Sequence, residues 1–136
     1  MRVMLDTNVL LSAFIFRSPT LERTIELAST GDNQLLLSTY VIDEAREVVA
    51  RKWPDRAHAL EDLLLHLSFE TIVTPLTMDK ERFKIRDPMD YPVLYSAIIG
   101  AADLFITGDK DFDGIHVDGI EILTPSEYVN IFGNNI

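Results

Sequence analysis

The stretch Asp103–Phe112 reads DLFITGDKDF, and it shows the pattern on which the fold prediction rests. The apolar letters LFI are followed by threonine, glycine and alternating acids. A short apolar run bounded by turn residues is typical of a strand that is buried on both faces. Gly108 and Asp109 are turn residues and mark the end of this run. We therefore predict a buried strand over Asp103–Thr107, with acidic side chains directly after it.

Similar apolar runs alternate with helical patterns along the rest of the chain. Serine caps and prolines in the first turn mark several helix starts. This alternation indicates a single α/β domain over residues 1–136, with a mostly parallel sheet covered by helices. The other predicted strands are Arg2–Thr7, Gln34–Ser38, Thr71–Thr74 and Ile120–Leu123. The predicted helices are Ser18–Ser29, one capped by Thr39 or Ser38 that runs to about Lys52, Asp55–Phe69, Pro88–Ala102 and a short one from Pro125.

The composition excludes several classes of protein. The chain has 136 residues, 47% of them hydrophobic, which is enough for one core. It has no cysteine, so disulfides, thiol nucleophiles, iron–sulfur clusters and cysteine zinc sites are excluded. No apolar run approaches the roughly 18 residues of a membrane helix. We expect a soluble, cytoplasmic protein without a signal peptide.

The net charge of −10 is concentrated in one part of the sequence. Between Asp87 and Glu121 there are eight acids and one base. The preceding segment is basic, with a lysine or arginine at every second position from Lys80 to Arg86. Such runs are usually solvated surface. A cation-binding cluster beside a phosphate-contacting strip is the alternative, and charge alone leaves both open.

Acids follow two of the predicted strands. In parallel sheets, sites form beyond the carboxyl ends of the strands, at a topological switch point. Asp6 follows the first strand and Asp109 follows the fourth, so both should lie at the same edge. Asp90 begins the helix that leads into the fourth strand, and this topology alone does not place it at that edge. Glu44 lies roughly 40° outside the apolar arc of its helix, nearer the sheet than Asp43 and Glu47 are.

Each of these acids also has an ordinary structural role open to it. Asp6 could cap a helix after the first strand, and Asp90 could be a helix N-cap. Asp109 could form an Asx turn, and Glu44 could be a surface acid. Several carboxylates gathered together would instead suit a hard divalent cation, because Mg²⁺ and Mn²⁺ prefer oxygen ligands.

In combination, four segments resemble the PIN-domain nucleases: LDTNVLLSAF (Leu5–Phe14), the Glu44 helix, RDPMDYPVLYSAIIGAADLFITGDKDF (Arg86–Phe112) and ILTPSEYV (Ile122–Val129). The resemblance covers nearly the whole chain. It is strongest to the small prokaryotic, VapC-like PIN proteins, which are regarded as toxins of type II toxin–antitoxin pairs. It implies a three-layer α/β/α fold with a mostly parallel central sheet, and a Mg²⁺- or Mn²⁺-dependent endoribonuclease.

The resemblance also implies roles for individual residues. Asp6, Glu44, Asp90 and Asp109 would be the catalytic and metal-binding acids, and Asp111 would be a further metal ligand. Asp87 competes with Asp90 for the third position. Family members further imply an antitoxin partner and a homodimer. Thr107 and Asn8 would support the site, and RNA would contact some of Arg17, Arg23, Arg46, Arg51, Lys52, the bases from Lys80 to Arg86, and Lys110.

Two other functions are consistent with the same acids. The first is a PIN-fold interaction module that acts only by binding a partner. The second is a phosphatase of the haloacid dehalogenase type, which also has an acid after its first strand. That class usually has a second aspartate two residues later, where this chain has Asn8.

Overall fold

Five parallel strands form the central sheet of the chain, in a computed structural model that describes residues 1–133. Neighbouring strands follow the order β3-β2-β1-β4-β5, and every pairing is parallel. The predicted α/β fold with a parallel sheet is confirmed. The strands are β1 (Arg2–Leu5), β2 (Gln34–Ser38), β3 (Glu70–Ile72), β4 (Leu104–Ile106) and β5 (Glu121–Leu123).

Helices cover both faces of the sheet and complete a three-layer α/β/α arrangement. Both faces of β2 and β4 are buried, as Leu35–Ser38 and Leu104–Ile106 show. The helices are α1 (Thr7–Ile15), α2 (Pro19–Ser29), α3 (Thr39–Lys52), α4 (Ala57–His66), α5 (Tyr91–Ile99) and α6 (Pro125–Phe132), and 3₁₀ turns cover Pro54–Arg56, Pro88–Asp90 and Lys110–Phe112. Within residues 1–133, no helix combines the length and the apolarity needed to cross a bilayer.

The strand order creates one switch point, between β1 and β4. From β1 the chain moves outward to β2 and β3, then returns to the other side of β1 for β4 and β5. Leu5 lies opposite Ile106, and the Asp6 N–H donates to the Ile106 carbonyl at 2.9 Å. The residues that follow β1 and β4 are therefore neighbours at the carboxyl edge of the sheet, where α/β folds form their sites.

Helix starts agree well with the sequence pattern. The Ser18 hydroxyl accepts the Leu21 N–H at 3.2 Å, and the Ser38 hydroxyl accepts the Val41 N–H at 3.1 Å. These caps satisfy amide donors that have no partner inside the helix. Thr124 forms a capping box with Glu127 at the start of α6.

The first predicted strand and its continuation need correction. Strand β1 ends at Leu5, and Thr7 belongs to α1, which is not among the predicted helices although the capping role open to Asp6 allows one. The segment after Asp6 is apolar nearly throughout, and periodicity cannot distinguish a buried helix from a buried strand in so short a run.

Other element boundaries also shift. The helix predicted over Asp55–Phe69 is Ala57–His66, after a 3₁₀ turn that begins at a proline. The strand predicted over Thr71–Thr74 is Glu70–Ile72. The helix predicted to reach Ala102 ends at Ile99, and the chain turns at Ala101, where φ is 51°.

Candidate metal centre

Asp6 lies buried at the end of β1 and caps α1. Its Oδ1 accepts the Thr7 N–H at 2.7 Å, and its Oδ2 accepts the Thr107 hydroxyl at 2.7 Å. Burial raises the pKa of Asp6 from 3.8 to about 6. The two hydrogen bonds oppose this shift, whereas the charges of Asp109 and Glu44 add to it. The capping role and the strand-end position are thus combined in one residue.

Two polar side chains link the end of β1 to the loop after β4. The Thr107 hydroxyl donates to Asp6 and also accepts the Asp109 N–H at 3.0 Å. The Asn8 side-chain oxygen accepts the Gly108 N–H at 3.3 Å. These bonds hold the loop after β4 against Asp6.

Asp109 and Asp111 are carried by a short structured loop. Asp109 Oδ1 accepts the Asp111 N–H at 2.9 Å, which is the Asx turn that its sequence allowed. Phe112 is buried and packs edge-on against Phe105 of β4, with ring centroids 5.2 Å apart. This aromatic contact anchors the loop, so both acids lie beside the switch point.

The start of α5 lies at the same edge of the sheet. Strand β3 is parallel to the others, so the chain leaves it at the carboxyl edge, and α5 runs back to reach the amino end of β4. Asp87 begins the 3₁₀ turn there, and its Oδ1 accepts the Met89 N–H at 2.9 Å. Asp87 thus caps the 3₁₀ turn, whereas Asp90 occupies the N-cap position of α5.

Asp90 differs from the other acids because its side chain has no structural role among the described residues. It makes no capping bond, and its Oδ2 is enclosed without a hydrogen-bond partner from residues 1–133. Burial, followed by the negative charges of Asp109, Asp87, Asp6 and Asp111, raises its pKa from 3.8 to about 7. A buried carboxylate that accepts no hydrogen bond and lies among other acids is stabilised only when a proton or a cation neutralises its charge.

The carboxylates converge closely enough to hold one ion. Single oxygens of Asp87, Asp90 and Asp111 all lie within 4.8 Å of one another. We call these three residues, together with Asp6 and Asp109, the acidic cluster. The atoms that it offers as metal ligands are all carboxylate oxygens, a set that suits Mg²⁺ or Mn²⁺. The enclosed Asp90 oxygen supplies the independent sign that a positive group fits here.

Glu44 lies at the margin of the acidic cluster. It is exposed on α3, and its charge contributes to the raised pKa of Asp6 and of Tyr40. Its neighbours on the helix are engaged elsewhere: Asp43 pairs with Arg46 at 3.9 Å, and Glu47 pairs with Arg51 at 3.0 Å. Glu44 has no ion-pair partner within the described part of the chain, so it is the acid of this helix that remains available.

Tyr40 belongs to the candidate site, although it is not among the residues predicted from the sequence. Its phenol donates to the Met89 carbonyl at 3.1 Å, which ties α3 to the turn that presents Asp87 and Asp90. Burial raises the pKa of Tyr40, and the charges of Glu44 and Asp90 raise it further, so the phenol stays protonated and able to donate. Its spacing of four residues before Glu44, on the same helix face, is the signal that could have found it.

The sequence model of the PIN domain matches residues 2–111, which include every member of the acidic cluster. The chain belongs to the PIN-domain family. No curated protein sequence matches this PIN domain.

Two solved structures share the fold of this PIN domain. One is VapBC2 from Rickettsia felis bound to a DNA fragment from their promoter, with a TM-score of 0.70 and 18% identity over 91% of this chain and 98% of that chain. The other is DNA-bound VapBC from Salmonella typhimurium, with a TM-score of 0.67 and 14% identity over 92% of this chain and 98% of that chain. At these identities the likeness establishes the common fold.

Proposed function

We propose that this PIN domain is a Mg²⁺- or Mn²⁺-dependent endoribonuclease whose acidic cluster, with Glu44, holds the metal. The observation that carries the proposal is Asp90: its Oδ2 is enclosed without a partner among residues 1–133, and its carboxylate lies within reach of Asp87 and Asp111. Such a carboxylate is costly in the fold unless a cation or proton neutralises it. The family membership supports hydrolysis of a nucleic-acid phosphodiester as the reaction.

The side chains divide into ligands and supporting residues. Asp6, Asp90, Asp109 and Asp111 would hold the metal, with Asp87 as the alternative to Asp90, and Glu44 would complete the site or orient a water. When bound, the ion would supply activation of a water and stabilisation of negative charge on the phosphate. The Thr107 hydroxyl keeps the Asp6 carboxylate in one orientation and holds the loop that carries Asp109. These bonds arrange the ligands before metal and substrate arrive.

A role as the toxin of a type II toxin–antitoxin pair is the biological part of the proposal. It is supported by the fold shared with chains from the two VapBC complexes. On this proposal an antitoxin protein is a partner, and a homodimer and a cytoplasmic location stay predictions. The family assignment gives no support to the haloacid dehalogenase alternative.

The test is cleavage of a fluorescent RNA by the wild type and by the Asp6→Asn variant, each with Mg²⁺, Mn²⁺ or EDTA. Cleavage by the wild type with metal is expected, together with its loss in EDTA and in Asp6→Asn. Asparagine keeps the size of the side chain, so circular dichroism should show an unchanged fold. The loss would then reflect the missing charge at the metal.

Calorimetric titration with Mn²⁺ on the same samples separates the nuclease from an interaction module. Metal binding that disappears in Asp6→Asn supports the metal site. An absence of both metal binding and cleavage in the wild type would favour the module. Equal cleavage by the two pure proteins would contradict the proposed role of Asp6.

A further inference from the structure

The 12 bases of this acidic protein differ in their partners, which the sequence does not show. Lys52 lies over the Trp53 ring and Arg56 over the Phe14 ring. Five arginines form ion pairs with carboxylates, namely Arg2, Arg17, Arg23, Arg46 and Arg51. No carboxylate of residues 1–133 pairs in this way with Lys80, Arg82, Lys84, Arg86 or Lys110, which are all exposed. We call these five residues the basic strip.

The basic strip ends at the acidic cluster. The Arg86 guanidinium donates through Nη2 to the Lys110 carbonyl at 3.0 Å. Arg86 directly precedes Asp87, and Lys110 lies between Asp109 and Asp111. This hydrogen bond therefore joins the two loops that present the acids, and it places two bases of the strip next to them.

The rest of the basic strip is anchored to α5, the helix that follows Asp90. Phe83 is buried, and its ring stacks on Tyr91 with centroids 4.2 Å apart. The Arg82 N–H donates to the Tyr91 phenol at 3.3 Å, and the same phenol donates to the Asp79 carbonyl. Ring stacking and backbone bonds thus hold the segment in place while the side chains of Arg82 and Lys84 remain exposed.

We infer that the basic strip binds the phosphates of single-stranded RNA and leads the strand into the acidic cluster. The inference rests on the proposed nuclease function. A polyanion is repelled by a net charge of −10 unless it meets bases that are not paired with acids. The arginines of α2 and α3 are already paired with acids. The strip is the basic surface that the Arg86–Lys110 bond places beside the acidic cluster. A single row of bases along one loop suits one strand.

The experiment measures binding of a fluorescent single-stranded RNA by anisotropy over a range of KCl concentrations. The parent protein is Asp6→Asn in EDTA, so that the RNA stays intact. Arg82→Gln with Lys84→Gln removes two charges from the strip. Arg46→Gln with Arg51→Gln removes the same charge from α3, where both arginines are paired with acids, and is the matched control. Neither pair contains a proposed metal ligand.

Loss of two phosphate contacts should make the slope of log K against log[salt] shallower by about 1.4, since each contact to a single strand contributes about 0.7. At low salt the strip variant should bind roughly tenfold more weakly. The control pair should leave the slope unchanged.

Equal effects of the two pairs, no effect of the strip pair, or no RNA binding by the parent protein would overturn the inference. Dependence on the strip for duplex DNA but not for RNA would also overturn it.

Failure of this inference is distinguishable from failure of the nuclease proposal. If the wild type cleaves RNA with metal and the strip variant binds and cleaves RNA equally well, the RNA-binding role of the strip is contradicted and the nuclease proposal stands. If the wild type binds RNA through the strip but does not cleave it with any of the metals, the RNA-binding role of the strip stands and the nuclease proposal fails.

Discussion

At the scale of single residues, Thr107 shows how a neutral side chain can set the properties of an acid. It is buried, and its hydroxyl joins Asp6 to the backbone of Asp109. Donation to a carboxylate favours the ionised form that a metal needs. Burial raises the pKa of Asp6, and the bonds from Thr107 and Thr7 lower it. Without the Thr107 hydroxyl, only the bond from the Thr7 N–H would remain to stabilise the charge.

Thr107→Val removes this hydroxyl while keeping the shape of the side chain. We expect Mn²⁺ affinity near neutral pH to fall by about 10–100-fold, as for other residues that orient metal ligands. Calorimetric titration measures the affinity. Thr107→Ser retains the hydroxyl and is the control that should bind metal nearly as the wild type does. Wild-type affinity in the valine variant would show that Thr107 does not orient Asp6.

At the scale of elements, the candidate site depends on how α3, α5 and the loop after β4 meet at one edge. Asp87 and Asp90 belong to a 3₁₀ turn whose carbonyl at Met89 is bound by Tyr40 of α3. The Thr74 hydroxyl accepts the Tyr40 N–H at 3.2 Å and also bonds to the Ser96 hydroxyl at 2.8 Å. The end of β3 thereby connects the two helices that present Glu44 and Asp90.

Tyr40→Phe cuts the link between α3 and the 3₁₀ turn but keeps the ring. We expect Mn²⁺ affinity to fall several-fold, while the free energy of unfolding falls by only about 0.5–1.5 kcal/mol, the usual value of one hydrogen bond. Calorimetry and urea denaturation measure the two quantities.

Tyr128→Phe is the matched control, because the buried Tyr128 hydroxyl has no partner among residues 1–133. Its removal should leave metal affinity unchanged and stability equal or higher. If both variants bound metal as the wild type does, the link through Met89 would have no role in holding the ligands.

At the scale of the whole molecule, the acidic cluster makes stability depend on pH and on metal. The pKa of Asp6 is about 6 and that of Asp90 about 7 in the fold, against 3.8 ordinarily. Between about pH 4 and pH 7 the folded state therefore binds more protons than the unfolded chain does. The contribution of these two groups to stability falls as pH rises through that window.

In EDTA, Tm should be lower at pH 8 than at pH 5, by an amount on the order of a few degrees from these two groups. Mg²⁺ or Mn²⁺ should raise Tm more at pH 8, where the carboxylates are ionised. At 100 times its Kd, a ligand specific for the folded state adds about 2.7 kcal/mol. Thermal scans across pH provide the measurement. Asp90→Asn should reduce the pH dependence, and an unchanged profile would contradict the assignment to Asp90.

Local sequence was sufficient for the elements whose signals lie within them. Strand β2 has the predicted bounds, and α3 ends at Lys52 with Ser38, one of the two predicted caps, at its start. A buried apolar run and a hydroxyl cap are local features. The same reasoning placed Asp6 and Asp109 at one edge, since strand ends in a parallel sheet are set by topology. The choice of Glu44 from three acids by helical phase stays a prediction.

Only the tertiary structure decided how the remaining groups are engaged. It brought Asp90 to the acidic cluster, and it made Asp87 the cap of the 3₁₀ turn while leaving the Asp90 Oδ2 without a partner in residues 1–133. It added Tyr40, and it separated the paired arginines from the basic strip. These features depend on which side chains meet across distant parts of the chain. A local pattern shows the type of each residue, whereas long-range packing determines which side chain it contacts.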